Sequence, residues 1–201
     1  MSACYYFLCI KHREIFMLFQ SDSQIKSTVT DHCPIAALGT KLSTALDYCE
    51  ESEQLSIACG CLTEMLDDIS INDVTTQDVE SGEYKRDLIY SDPKSRFTVL
   101  VLSWGPKAAT PVHGHRTWGA VGVIDGTVNC RCFEKHAYGD ACCALIETDY
   151  ITATSGMTAA VNPDPEGIHA LYNNENKTAT TVHIYGMDLS KDPTAINVQY
   201  Q

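Results

Sequence analysis

Apolar residues between positions 34 and 69 recur every three to four residues, which is the spacing of one face of an α-helix. A first group runs from Ile35 to Leu46 and a second from Leu55 to Leu66, and polar residues interrupt them near Glu50 to Gln54. The pattern therefore predicts two helices. Since each has one apolar face, we expect both to pack against a larger element and to carry no chemistry.

After Val79 the pattern changes to short apolar runs separated by turn residues, which is typical of β-strands. The predicted strands are 84–90, 97–104, 118–124, 127–133, 144–152, 158–161, 169–172 and 180–185. Eight short strands favour a closed barrel or a jelly roll. We therefore expect a mainly β protein whose barrel covers about residues 79–190, with the helical lead-in of about residues 34–69 packed against it.

The first thirty residues show no clear periodicity, and we expect them to form a poorly ordered N-terminal arm. A chain of 201 residues with 44% hydrophobic content can bury one sizeable core. The sequence therefore predicts an arm over residues 1–30 and a single domain over residues 31–201.

The formal net charge of −12 argues against a surface that follows the phosphates of nucleic acid or of an anionic membrane. The apolar stretch from Tyr5 to Phe19 is interrupted by Lys11 to Glu14, so it is too short to span a bilayer. It also does not have the pattern of a secretory signal. We expect a cytoplasmic monomer that binds neither nucleic acid nor membrane.

The sequence contains ten cysteines. In a reducing cytoplasm we expect most of them to be free thiols. The pairs Cys59/Cys61 and Cys130/Cys132 do not have the two-residue spacer of a usual zinc knuckle, so we assign them no metal and leave their role open.

His113 and His115 flank Gly114 in a segment that we expect to be extended. Side chains alternate along a strand, so both imidazoles point to the same side and can reach one metal ion. The pair alone is a weak signal, because any exposed strand can carry two histidines.

The surrounding residues strengthen this signal because they resemble the two sequence motifs of cupins. Gly105, Pro111, Gly119 and the hairpin turn from Ile124 to Thr127 resemble the first motif. The residues that resemble the second motif are Gly156, Pro163, Gly167, His169 and Asn173. This resemblance implies a cupin double-stranded β-helix, that is, a jelly-roll barrel, with one metal ion held by His113, His115 and His169.

Many cupins have a metal-binding glutamate where this chain has Gly119. The ligand set would then be three neutral imidazoles, which leave the full +2 charge on the metal and three open positions. Such a site favours capture of an anionic ligand such as a thiolate.

Longer segments resemble the thiol dioxygenases, the family of cysteine dioxygenase and 3-mercaptopropionate dioxygenase. The resembling segments are 84–88, 97–105, 110–115, 167–169 and 181–185. The resemblance, which covers roughly Tyr84 to Met187, implies that Fe²⁺ is held by the three histidines. It also implies that both atoms of O2 are added to a small thiol, which becomes a sulfinic acid.

Thr181, His183 and Tyr185 share one face of a predicted strand and can form a hydrogen-bonded row. In the family, a serine, histidine and tyrosine row orients the tyrosine hydroxyl toward the iron, and Thr181 retains the serine's hydroxyl group. The resemblance therefore implies a catalytic role for all three residues. The alternative is that they are ordinary interior residues of the barrel.

Arg86 lies in the segment where cysteine dioxygenases place the arginine that binds the substrate carboxylate, which favours L-cysteine as the substrate. The residues from Arg116 to Gly119, and Tyr185 followed by Gly186, look more like the 3-mercaptopropionate branch. A surface salt bridge is the alternative role for Arg86. The preferred thiol therefore stays open.

Two further positions depart from the family. The cysteine that crosslinks to the active-site tyrosine in animal enzymes is replaced by Gly119, so we expect no thioether. Gly114 replaces an acidic residue that is usual between the two ligands, which puts metal affinity in doubt. A non-catalytic cupin that binds a metal or a small ligand is therefore the rival hypothesis.

Overall fold

The computed structural model describes residues 34–66, 68–69, 71–74, 78–138 and 142–200. The predicted arm over residues 1–30 lies outside these ranges. Of the ten cysteines, the side chains of Cys4, Cys9, Cys33, Cys142 and Cys143 also lie outside the part of the chain that is described.

Both predicted helices are confirmed. Helix α1 spans Pro34–Ala45 and helix α2 spans Gln54–Leu66, with short 3-10 turns at Leu46–Tyr48, Glu51–Glu53 and Ile71–Asp73. The break between the helices is stabilised by a capping box, in which the Glu50 backbone N–H donates to the Glu53 carboxylate at 3.0 Å. The polar residues that interrupted the apolar pattern therefore start the second helix.

All eight predicted strands are present in the described part of the chain, together with two strands of two residues each. The strands are β1 Tyr84–Ser91, β2 Thr98–Trp104, β3 His113–Gly114, β4 Gly119–Asp125, β5 Thr127–Tyr138, β6 Cys142–Thr154, β7 Thr158–Val161, β8 Ile168–Tyr172, β9 Ala179–Tyr185 and β10 Val198–Gln199.

The strands form two antiparallel sheets, with the orders β1-β2-β9-β4-β7 and β10-β3-β8-β5-β6. From β2 to β5 the chain alternates between the sheets, the β5–β6 hairpin reverses it, and β7 to β9 alternate again. The strands after the hairpin pair with those before it: β9 lies between β2 and β4, and β8 lies between β3 and β5. This strand order is that of a jelly roll, and the predicted double-stranded β-helix is confirmed.

The helices cover one face of the first sheet, as the apolar pattern predicted. Val182 and Ile184 of β9 belong to the same buried cluster as Leu62 and Leu66 of α2. The alternate residues of β9 therefore face the second sheet and the interior of the barrel. All seven residues of β9 are buried, because one face meets the helices and the other meets the barrel interior.

A buried ion pair connects helix α1 to the turn between β1 and β2. The Asp92 carboxylate accepts hydrogen bonds from Arg96 Nε at 2.8 Å and from Ser43 Oγ at 2.7 Å. Burial alone would raise the pKa of Asp92, but the hydrogen bonds from Arg96 and Ser43 outweigh it and lower the pKa to about 2.

Within the described ranges, no helix is both long enough and apolar enough to cross a membrane.

Candidate metal centre

The three histidines predicted as ligands come together inside the barrel. His113 on β3 is the direct cross-strand partner of His169 on β8, and His115 follows β3 by one residue beyond its end. Their candidate ligand atoms all lie within 4.8 Å of one another. Each side chain is at most 5% exposed. The geometry therefore places three imidazoles around one point that is shielded from solvent.

Several ring nitrogens of this cluster have no hydrogen-bond partner among the described residues. They are Nδ1 and Nε2 of His115 and Nε2 of His169. His113 Nδ1 lies 2.9 Å from the Pro111 carbonyl oxygen, to which it can donate, so its Nε2 is left for a ligand. A buried polar atom without a partner costs free energy, which binding to a metal ion would recover. The residues therefore fit a metal held by three imidazoles.

The electrostatics of the cluster favour the neutral ring, which is the form that binds metals. Burial is the main cause that lowers the pKa of all three histidines, and neighbouring positive charges add to it, so that the pKa of His115 falls to about 3. The imidazoles are therefore already deprotonated at neutral pH.

The residues Thr181, His183 and Tyr185 form the hydrogen-bonded row that their spacing predicted. Thr181 Oγ1 lies 2.8 Å from His183 Nε2, and His183 Nδ1 lies 3.1 Å from the Tyr185 hydroxyl oxygen. The Tyr185 ring lies edge-on to His115, with 5.2 Å between the ring centroids. The row therefore ends at the histidine cluster.

Trp104 extends this row and determines its direction. Its indole N–H donates to Thr181 Oγ1 at 2.8 Å. Among the described residues, His183 Nε2 is the remaining partner of the Thr181 hydroxyl, so Thr181 donates to it. His183 then carries its proton on Nδ1 and donates to the Tyr185 oxygen. The Tyr185 hydrogen is left to be donated elsewhere.

Burial keeps this row uncharged at neutral pH. It lowers the pKa of His183 to about 3 and raises the pKa of Tyr185 above its usual value. Tyr185 therefore acts as a hydrogen-bond donor and not as a phenolate.

Arg86 lies on β1, two strands from the row. It is paired with Leu102, which is in turn paired with Thr181, so these residues share one face of the sheet. Its guanidinium is exposed, and Nη2 lies 3.3 Å from both the Tyr84 hydroxyl and Asn197 Oδ1. Burial is the largest cause of the lowered pKa values of His113 and His183, and the positive charge of Arg86 also lowers them. Arg86 therefore lies at the edge of the site.

The alternative role for Arg86, a surface salt bridge, is not found in the described part of the chain. The other described arginines do have carboxylate partners: Arg96 with Asp92, Arg116 with Asp192 and Arg131 with Glu147. The hydrogen-bond partners of Arg86 are neutral. Its positive charge is therefore available to an anionic ligand.

Sequence reasoning missed the neighbours that position these residues. Asn197 is 111 residues from Arg86 along the chain, and an asparagine near a chain end carries no pattern. Cys130 of β5 pairs with Leu171 of β8. Its Sγ is 4.0 Å from His169 Nδ1 and 3.8 Å from Cys132 Sγ. The described cysteines form no disulfide bond with one another.

The structure shows what lies beside Gly114 and Gly119, the two glycines at which the sequence departs from the family that it resembles. A Cβ at Gly114 would lie 3.2 Å from Asp164 Oδ1, so the space beside this position is already occupied by another carboxylate. Gly119 pairs with Tyr185, and a Cβ there would lie 3.4 Å from the tyrosine ring carbon Cε1. Gly119 therefore lies beside Tyr185.

Comparisons with known proteins find solved structures that resemble part of the chain at low identity. No protein-family model matches the chain. Similar solved structures include a cupin superfamily protein from Desulfitobacterium hafniense, with a TM-score of 0.42, 9% identity, and 56% of this chain and 84% of that chain covered. A double-stranded β-helix protein from Klebsiella pneumoniae gives a TM-score of 0.41 and 17% identity, with 61% and 87% covered. Oxalate decarboxylase from Lactobacillus farciminis gives a TM-score of 0.41 and 12% identity, with 59% of this chain and 32% of that chain covered.

The fold is a cupin-type barrel. The strand order of the two sheets carries this assignment. The resemblance to thiol dioxygenases remains a prediction from the sequence.

Proposed function

We propose that this protein is a thiol dioxygenase that uses one Fe²⁺ ion to convert a small thiol carboxylate and O2 to the sulfinic acid. The observation that carries the proposal is the contact between the Tyr185 ring, at the end of its hydrogen-bonded row, and His115 of the three-histidine cluster. A cluster that only stored a metal would not need an aligned donor beside it.

The reaction is balanced by the two substrates alone. A thiol, RSH, and O2 give RSO2H: two sulfur–oxygen bonds form, the O–O and S–H bonds break, and the thiol proton ends on an oxygen of the sulfinic acid. The sulfur loses four electrons and the two oxygen atoms gain them, so no further reductant is needed. Bound Fe²⁺ would supply the one-electron chemistry by which a thiolate reacts with O2.

The residues of the chain divide the remaining tasks. His113, His115 and His169 would hold the metal, and their neutral charge favours binding of the substrate as a thiolate. The Tyr185 hydroxyl would donate a hydrogen bond to the reacting atoms. His183 and Thr181 would hold this hydroxyl in position. These tasks are positional, and each depends on a hydrogen bond inside the barrel.

Arg86 would bind the substrate carboxylate from the edge of the site. Its planar fork suits two hydrogen bonds to one carboxylate, and an ion pair would replace its long contacts to Tyr84 and Asn197. We favour L-cysteine, and 3-mercaptopropionate, which carries the same carboxylate and thiol, is the alternative.

Oxygen uptake by the anaerobically iron-loaded protein, measured with each thiol separately and compared with the sulfinate formed, tests the proposal. We expect one sulfinate for each O2 consumed. The variant His169→Ala should show neither iron binding nor uptake, whereas His136→Ala, which changes an exposed histidine of β5, should retain both. Tight iron binding with no uptake would contradict the proposal and favour a non-catalytic metal-binding cupin.

A further inference from the structure

The interior of the barrel contains a cavity of about 30 Å³ beside the candidate metal centre. Side chains of both sheets line it, and most of them are apolar. The apolar lining includes Val121, Val123, Ala159, Val128, Ala153 and Leu171. The lining also includes His169 of the ligand cluster and His183 and Thr181 of the row. The cavity is therefore apolar along most of its length and reaches the site where the chemistry would occur.

The size of the cavity selects a very small occupant. A cavity needs roughly 10–15 Å³ to hold one water molecule, so this cavity has room for about two groups of the size of a water molecule. A thiol carboxylate, with its sulfur, carboxylate and carbon chain, is too large. A diatomic molecule fits.

The chemistry of the lining favours an apolar occupant over water. A buried water needs two to four polar partners. The Thr181 hydroxyl is engaged with Trp104 and His183, and the two ring nitrogens of His183 are engaged with Thr181 and Tyr185. The Thr158 hydroxyl lies 2.9 Å from that of Thr63, and Cys130 Sγ lies 3.8 Å from Cys132 Sγ. His169 Nε2 has no partner among the described residues, and one such nitrogen is fewer than the partners that a buried water needs. Apolar cavities with few available polar groups stay dry and take up apolar guests such as xenon.

The position of the cavity separates it from the proposed carboxylate anchor. Its described lining residues come from β4 to β9, and none belongs to β1, which carries Arg86, or to the segment after Tyr185 that contains Asn197. Met157 and Thr158 are half-buried at the start of β7, so the lining continues toward the surface there. An occupant of the cavity would therefore reach His169 without passing Arg86.

We infer that this cavity is a dioxygen-binding site, which supplies O2 to the histidine cluster from a different side than the thiol. This inference rests on the proposed function for the identity of the gas, whereas the presence of an apolar gas site does not depend on it. O2 and xenon are both small and apolar, so xenon reports on the cavity without any reaction.

The first experiment is xenon binding to the metal-free protein, followed by crystallography under xenon pressure or by xenon NMR. We expect xenon between Ala153, Ala159 and His169 in the wild type. The variant Ala153→Val fills the cavity from β6 and should abolish this binding, and Ala144→Val, on the same strand but outside the lining, should not. Ala159→Val, from β7, replaces the first variant if that variant does not fold.

The second experiment measures the KM for O2 of the iron-loaded variants. We expect Ala153→Val to raise this KM at least about fivefold, with the KM for thiol and the iron content unchanged. Xenon excluded from the wild-type cavity, or a KM for O2 that does not change when the cavity is filled, would overturn the inference. If the wild type binds xenon there but consumes no O2 with either thiol, the gas site stands and the proposed function fails.

Discussion

Arg86 differs from the other described arginines in that its hydrogen-bond partners are neutral, which leaves its charge for a ligand. The carboxylate partners of Arg96, Arg116 and Arg131 show that arginines elsewhere in the described chain are neutralised. An arginine without a carboxylate partner at the edge of a site that contains buried histidines is the arrangement expected of an anion-binding residue.

The variant Arg86→Gln should therefore lose affinity for thiols that carry a carboxylate. A hydrogen bond to a charged group contributes about 1.5–3 kcal/mol, so kcat/KM for L-cysteine should fall by about 10- to 100-fold, mainly through KM. The kcat/KM for cysteamine, which has no carboxylate, should not change. Steady-state kinetics with both thiols measures this.

The control for this variant is Arg116→Gln, which removes an exposed arginine whose partners are Asp192 and Thr194. It should leave the kinetics for both thiols unchanged. An equal loss for L-cysteine and cysteamine in Arg86→Gln would instead indicate a structural role for Arg86.

The hydrogen bond from Trp104 to Thr181 predicts a second effect at the residue scale. In Trp104→Phe the Thr181 hydroxyl loses its donor and can rotate away from His183, so Tyr185 is less well oriented. Because one hydrogen bond contributes about 1 kcal/mol, we expect kcat to fall by about fivefold, with iron content and the KM for thiol unchanged.

Trp118→Phe is the matched control, because Trp118 packs against Gly186 and lies outside the row. Its kcat should stay close to that of the wild type. A change in KM with unchanged kcat in Trp104→Phe would contradict the orienting role.

At the element scale, helix α1 is held to the β1–β2 turn by the buried carboxylate of Asp92. The folded-state pKa of about 2 lies below the ordinary value of 3.8 for an aspartate. This group therefore stabilises the fold fully above about pH 4, and the contribution is lost as the pH falls toward 2.

The variant Asp92→Asn should lower the free energy of unfolding by about 2–3 kcal/mol at pH 6, because Arg96 loses its buried partner. At pH 3 the difference from the wild type should be about 1 kcal/mol smaller. Urea unfolding at both pH values measures this.

Glu147→Gln, which breaks the exposed pair with Arg131, should cost less than about 1 kcal/mol at either pH. If Asp92→Asn has the same small effect as this control, the buried pair does not hold the helix to the sheet.

The sequence predicted the elements that have one face toward the interior and the other toward the helices or solvent. Strand β7 was predicted with the bounds that it has, whereas β5 continues to Tyr138, five residues beyond its predicted end at Phe133. The outer part of the β5–β6 hairpin includes exposed residues such as Lys135 and His136, so burial leaves no pattern there. Strands β3 and β10 have two residues each, which is too short for any periodicity.

At the scale of the whole molecule, the candidate ligands could be predicted because the spacing of two histidines and a third motif resembles a known arrangement. The contacts between distant segments could not be predicted. Asn197 reaches Arg86, Trp104 reaches Thr181 and Cys130 reaches His169 only because the strand order brings these segments together. Sequence periodicity reports which face is buried and not which residues meet.

The two buried apolar clusters around β2 and β9 do not depend on a metal, so the metal-free chain should fold. Binding of Fe²⁺ to the folded state should then stabilise it, by about 2.7 kcal/mol at a free metal concentration of 100 times Kd. For a chain of this length, Tm should rise by about 5–10 °C. Differential scanning calorimetry of the anaerobic protein measures this shift.

The shift in Tm should be absent in His169→Ala and retained in His136→Ala. A rise in Tm of the same size in both variants would show that the ion binds outside the histidine cluster.

The most direct measurement of the proposed reaction is the mass of the product formed under ¹⁸O2 in ordinary water by the iron-loaded wild type. We expect L-cysteine, or 3-mercaptopropionate if it is the better substrate, to give a sulfinate that carries two ¹⁸O atoms, with no such product from His169→Ala. A sulfinate with one ¹⁸O atom or none, or only disulfide formed from the thiol, would contradict the account.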